Sequence, residues 1–424
     1  MARKAFFLLP ILALLVTGCT TTGPIPTRTA SPETLPSAAL AASPQRTSPA
    51  PPASPTASLQ RAASRPPFPT LTQTPLPTAS PTLPPAEPIT RGPYLQDVAP
   101  GSIWVVWDTA KTSTGWVEYG PTAALGQVAV EGGAGVHHQV QLTGLQDYTQ
   151  YFYGTAGFST VSSFRSAPAA GQDHFTFAVL GDTRANPDVH SAIINAIAAA
   201  RPDFVLHLGD MVDDGNDAGL WTAFLKIEAP LMRIAPLYPV LGNHENGASL
   251  YFDTFHLPGN GRYYAFDYAS ARLIVLDADT YDAGPFLPGG TQRAWLEQQL
   301  STAAGRWIFV SFHVAVHTSF AEDPSEVNLR NALAPLFEQY KVTAVFNGHI
   351  HSYERVLAGG INYIVSAGGG APLYSLNVKE AGQQAAALAY NYMLFDVSGD
   401  TVSGRALSVD GKLIDSFEIK ATRP

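Results

Sequence analysis

Cysteine is nearly absent. Cys19 is the only one in 424 residues, which excludes an intrachain disulfide. Basic residues are also short: 25 Lys and Arg stand against 34 Asp and Glu, a formal charge of -9 at pH 7. That balance argues against non-specific nucleic-acid binding, which needs clustered Lys and Arg. It does not exclude an anionic ligand, because bound cations add local positive charge that the count omits. The apolar run at residues 6–16 is too short for a comfortable transmembrane helix. What is present is core-forming material. Hydrophobic residues make up 46% and aromatics 10%. The length exceeds one ordinary core and implies two or more domains plus linker.

Arg3 and Lys4 precede the apolar run, and Val16-Thr17-Gly18-Cys19 follows it. The order basic, apolar, small, Cys resembles a bacterial lipoprotein signal with its lipobox. The resemblance implies removal of residues 1–18 and a lipid on Cys19. The mature protein would then be membrane-anchored outside the cytoplasm. Residues 19–87 are dominated by Pro, Ser, Thr and Ala, with few large apolar side chains. Such a stretch cannot bury enough surface to offset its ordering entropy. It reads as a disordered linker, a stalk whose prolines favour extension at ~3.1 Å per residue.

Residues 88–167 read as a small all-β domain. Ile103-Trp104-Val105-Val106-Trp107 is a β-rich run. Trp116-Val117-Glu118-Tyr119 and His138-Gln139-Val140-Gln141-Leu142 alternate in the same way. Short strands spaced by turn residues suggest a sandwich whose aromatics fill its core. The pattern changes across residues 173–420. Apolar strands at 175–180, 204–208, 238–241, 272–276, 307–312 and 343–346 interleave with helical stretches at 189–200, 221–232, 292–303 and 327–340. That alternation indicates a layered α/β domain. The tail returns to strands at 392–397, 402–407 and 412–419, which would complete a sheet.

Polar residues cluster where the apolar strands end. Asp182 follows the first strand and Asp210 the second. Asn243, His244 and Glu245 follow the third, His313 follows residues 307–312, and His349 and His351 follow residues 343–346. Loops at the carboxyl ends of strands are where α/β sheets place ligands. Carboxylate and amide oxygens with neutral imidazole nitrogens suit Zn, Mn, Fe or similar divalent ions. Any one piece alone reads as a turn or a surface histidine. Five such loops in order point to one shared crevice.

This set resembles the calcineurin-like metallophosphoesterase superfamily. Asn347-Gly348-His349-Ile350-His351-Ser352-Tyr353-Glu354-Arg355 is similar to the purple acid phosphatase branch in particular. The resemblance implies an α/β (α+β) four-layer sandwich preceded by a fibronectin-III-like β-sandwich. It implies two divalent cations. Asp182, Asp210 and His351 would hold one; Asp210, Asn243, His313 and His349 would hold the other. It also implies hydrolysis of a small phosphate monoester, by a water that the cation pair activates for in-line attack. His244 would donate a proton to the leaving oxygen. Arg184 would grip a phosphoryl oxygen, its rival reading being a structural ion pair. Glu245 would support Asn243 or His244 from behind. His317 reads as an ordinary loop histidine.

Two positions depart from the family pattern. Purple acid phosphatases carry an iron-binding, colour-giving Tyr three residues after the bridging Asp, and Asp213 stands there. Other members place a His where Arg184 stands. Asp213 either binds the first metal or, as in the protein serine/threonine phosphatases it resembles here, orients His244. The alternatives are a phosphodiesterase or nucleotide hydrolase on the same site, and a non-catalytic surface-binding lipoprotein. A polymer-binding role for the β domain rests only on its aromatics.

Overall fold

The computed structural model describes residues 83–320 and 323–421. They fall within one compact unit, Thr78–Pro424. The signal and lipid site at residues 1–19, and nearly all of the 19–87 linker, lie outside the described residues.

The first seven strands are β1 (Ile89–Ala99), β2 (Ser102–Ser113), β3 (Trp116–Gly120), β4 (Gln127–Val130), β5 (Gly135–Thr143), β6 (Gln150–Thr155) and β7 (Ser162–Arg165). They form two antiparallel sheets, ordered β1-β2-β5 and β4-β3-β6-β7. Side chains of this region cap main-chain groups of the following one. Tyr94 donates to the Thr254 carbonyl at 2.7 Å, Gln96 to that of Leu237 at 3.1 Å and Tyr153 to that of Arg233 at 2.9 Å. The donors are phenols and an amide with apolar bodies, so each contact buries carbon and satisfies a carbonyl together.

The second region begins with β8 (His174–Leu180), α1 (Pro187–Ala200), β9 (Phe204–His207), α2 (Ala218–Met232), β10 (Leu237–Pro239) and α3 (Ser249–Thr254). It continues with β11 (Tyr264–Tyr268), β12 (Ala271–Val275), α4 (Thr291–Ser301), β13 (Trp307–Ser311), α5 (Pro324–Gln339) and β14 (Ala344–Asn347). The tail holds β15 (Tyr353–Ala358), β16 (Ile361–Ser366), β17 (Gln383–Ala387), β18 (Asn391–Ser398), β19 (Thr401–Ser408) and β20 (Leu413–Lys420).

Two mixed sheets result. One is ordered β10-β9-β8-β18-β19-β20 and the other β11-β12-β13-β14-β16-β15-β17. The apolar strands are nearly continuous because both of their faces are buried. Successive side chains on a strand point to opposite faces. On β8, Phe175, Phe177 and Val179 join the core between the sheets, while Ala178 and Leu180 pack outward with Ile193, Ile197 and Phe224 of α1 and α2. On β13, Trp307 and Phe309 face inward, while Ile308 and Val310 meet Leu296, Leu333 and Phe337 of α4 and α5. Helices therefore cover the outer face of each sheet. Aromatic rings line and join the inner faces: Phe177 stacks on its sheet neighbour Phe395 at 4.6 Å and tilts against Phe309 of the other sheet at 5.4 Å.

Candidate metal centre

The parallel strands of both sheets end on one side of the domain, and the expected residues sit on the loops that leave them. Asp182, Asp210 and Asn243 follow β8, β9 and β10 of the six-stranded sheet; His313, His349 and His351 follow β13 and β14 of the seven-stranded one. The turns there are tight. Asp182, Asp210 and His349 take φ values of 58°, 55° and 69°. Non-glycine residues hold this left-handed region only where their surroundings over-determine them. Gly209 has φ +92°, and a Cβ on it would lie 2.7 Å from His313 Nδ1. A Cβ on Gly348 would lie 2.6 Å from the Leu208 carbonyl oxygen and 2.8 Å from Asp182 Oδ2. Only glycine lets these backbones come so close to the buried polar groups.

All six expected ligand residues meet. One ligand atom each from buried Asp182, Asp210 and His313 lies within 4.8 Å of the others. His351 Nε2 is 3.4 Å from Asp182 Oδ1, and His313 Nε2 is 3.3 Å from Asp210 Oδ1. Asn243 Oδ1 lies 3.2 Å from His313 Nε2 and 3.1 Å from His349 Nδ1. The tautomers are set from behind. His313 Nδ1 donates to the Leu208 carbonyl at 2.7 Å, and His351 Nδ1 to that of Pro372 at 2.6 Å. Each bond leaves Nε2 aimed at a carboxylate, as metal-binding imidazoles require. The His349 amide donates to Asp182 Oδ1 at 3.0 Å, locking the last loop onto the first.

Electrostatics shows what the pocket asks for. Burial raises the Asp182 carboxyl above its ordinary value, against the pull of His351 and His313. Burial also disfavours the Asp210 carboxylate, but neighbouring His313 outweighs this and holds it well below the usual range. Burial alone would lower His313; the charges of Asp210 and Asp182 instead push it up to about 10. Burial and then His313 push His349 down to about 3. Two buried carboxylates thus draw positive charge to one place, and imidazole and amide donors surround it. This donor set is compatible with a site for two metal ions.

Two expectations change, those for Asp213 and Glu245. The Asp213 carboxylate does not orient His244 and does not join the buried group. It is half-exposed and pairs with Arg184 at 3.0 Å. The Asp213 main-chain carbonyl does the orienting, accepting from His244 Nδ1 at 2.8 Å. Arg184 is engaged as an ion pair, its Nε 3.4 Å from Asp210 Oδ2. Glu245 does not support Asn243 or His244. Its carboxylate accepts from the amides of Asp210 at 2.9 Å, Met211 at 2.8 Å, Val212 at 3.3 Å and Gly242 at 2.8 Å. Burial, then the charge of Asp210, push Glu245 up to about 7 despite these donors. His317 lies apart, bonded to Glu380 at 2.8 Å.

Two tyrosines adjoin the site that nothing in their sequence context marks. The Tyr281 hydroxyl is 2.7 Å from His349 Nε2, and the Tyr374 ring stacks on His351 at 4.1 Å.

Residues 175–353 match the model of the calcineurin-like phosphoesterase family. The chain is 27% identical to purple acid phosphatase 22 of Arabidopsis thaliana, over 52% of this chain and 54% of the relative. It is 29% identical to acid phosphatase type 7 of Mus musculus, over 61% of this chain and 68% of the relative. The chain spans little more than half the length of purple acid phosphatases 22 and 23, at 54% and 58%. Among solved structures it resembles a purple acid phosphatase from yellow lupin seeds, with TM-score 0.68, 18% identity, and 79% of this chain and 74% of that one covered. It also resembles PhoD, with TM-score 0.61, 13% identity, and 81% and 94% covered. At these identities the structural likeness speaks to the fold alone.

Proposed function

We propose that this protein hydrolyses phosphate monoesters at a site for two divalent cations, Zn, Mn or Fe, and does so outside the cytoplasm, tethered to the membrane through a lipid on Cys19. The convergence of Asp182, Asp210, Asn243, His313, His349 and His351 from two sheets carries the reading. Asp182 and His351 would serve one cation, Asn243, His313 and His349 the other, and Asp210 both. When bound, the pair supplies positive charge at the phosphoryl oxygens and lowers the pKa of a water. The first seven strands, as a fibronectin-III-like sandwich, brace the catalytic domain through the three side-chain contacts already described.

The remaining work falls to the chain itself. Arg184, held beside Asp210, turns its guanidinium from Asp213 to a phosphoryl oxygen. His244 commits Nδ1–H to the Asp213 carbonyl, and in its protonated form the second N–H, on Nε2 3.8 Å from Asp210 Oδ2, passes its proton to the leaving oxygen and leaves a neutral imidazole. His244→Ala should keep its cations, checked by metal analysis, and lower turnover of an alkyl phosphate by ~10²-fold. p-Nitrophenyl phosphate, whose leaving group needs no proton, should suffer less. Equal losses on both esters would remove His244 from the proton-donor role.

Because Asp213 replaces the colour-giving Tyr, the iron-loaded protein should show no tyrosinate band in its visible spectrum. Such a band would point to Tyr281 or Tyr374, the two tyrosines that adjoin the site. Turnover of paired mono- and diesters under defined metals tests the function as a whole. A clear diester preference, or tight metal binding with no turnover, would overturn it.

A further inference from the structure

A cleft of about 590 Å³ opens beside the metal centre. His349 lines it, together with Tyr281, Phe320 and Tyr374 and the start of α5 at Asp323 and Glu326. The aromatic residues come from three different loops, those after β12, β13 and β16. They are partly exposed, unlike the core rings. Phe320 and Tyr374 lie 5.4 Å apart, and Tyr374 continues the stack to His351. Resting on the hydrolase reading above, we propose that this cleft holds the organic part of the ester and selects an aromatic group without negative charge.

Three observations carry the choice. His349 is both a cleft wall and a member of the metal centre, so a phosphoryl group held there directs its substituent into the cleft. The volume lies within the range of small-molecule sites. Flat rings on the wall favour a flat ring in the ligand, through stacking that adds to simple burial.

The charge preference follows from how α5 begins. A helix N-terminus ordinarily attracts anions. Here its own residues satisfy it. Asp323 accepts from the Ser325 amide at 2.8 Å, Glu326 accepts from the Asp323 amide at 3.2 Å, and Pro324 has no N–H to offer. Hydrogen bonds from Ser325 hold the Asp323 carboxyl below its ordinary value, so it is ionised at neutral pH. The cleft mouth thus repels a second anionic group.

The test compares 2-phenylethyl phosphate with n-butyl phosphate, whose alcohols leave with similar ease. Cation-loaded protein should show kcat/KM about tenfold higher for the phenyl ester. The ratio should fall toward one in Phe320→Ala. A para-carboxylate on the ring should lower kcat/KM about fivefold, and Asp323→Asn should restore it, since Asn keeps the helix cap. A ratio near one in the unaltered protein, or one that survives Phe320→Ala, would overturn the cleft assignment. A carboxylate penalty unchanged by Asp323→Asn would overturn the charge selection. Turnover of neither ester would overturn the hydrolase reading and this inference together.

Discussion

Asp210→Asn should lower hydrolysis of p-nitrophenyl phosphate by ~10³-fold or more, because a metal pair contributes several kcal/mol to the transition state. Cation content per chain, measured after purification, should fall with it. Asp210 is assigned to both cations, and a ligand atom of it lies within 4.8 Å of one from Asp182 and one from His313. Its Oδ1 is 3.3 Å from His313, and its Oδ2 faces Arg184 and His244. An amide is nearly the same shape, so packing survives the change. The substitution also removes the charge that helps to raise Glu245. Circular dichroism should therefore remain that of the parent, which separates lost chemistry from lost folding. Full activity in this variant would end the two-metal proposal.

Glu245→Ala should destabilise the protein by about 3–5 kcal/mol, read from chemical denaturation, because it orphans buried donors. Four amides, those of Asp210, Met211, Val212 and Gly242, converge on this one carboxylate. Few side chains could replace it. Loss of the repulsion with Asp210 offsets part of the cost, but one like-charge contact is set against four unpaired N–H groups. Glu245→Gln keeps one oxygen acceptor and should lose about half as much. Both variants should also bind cations more weakly, since Asp210 holds its left-handed backbone only while its amide is anchored. Unchanged stability in Glu245→Ala would mean that water replaces the carboxylate freely.

In the second region β8, β9, β10, β12, β13 and β14, with the polar residues at their ends, were legible because burial on both faces leaves a strong apolar signature, whereas β11, β15 and β16 were not. Order and position picked out the loops that carry Asp182, Asp210, Asn243, His313, His349 and His351, and the family resemblance separated these six from neighbours such as His244 and Glu245. β1 was not legible. Gly92 and Pro93 interrupt it and Asp97 sits at φ 40°, so it reads as a loop. The three register shifts against β2 show how the pairing accommodates them. Short edge elements such as β4 and β17 are partly exposed and lack the apolar run. The roles of Asp213 and Glu245 were hidden for a different reason. Both depend on which atom of a residue meets a loop about thirty positions away, carbonyl or carboxylate. Spacing identifies the partners but not the atoms. Tyr281 and Tyr374 look like any loop tyrosine until the fold carries them to the histidines.

The two groups of candidate ligands arise from different sheets, whose shared core includes the rings of Phe177, Phe309 and Phe346. Dispersion between rings tolerates small sliding, whereas coordination bonds do not. A cation spanning both groups would act as a rivet, adding to the aromatic seam and to the His349–Asp182 and His313–Leu208 hydrogen bonds that already join the two layers. Affinity for the ion would then report the alignment of the whole domain, and a substitution at Phe177, deep in the seam, would be felt at the metal before it was felt anywhere on the surface.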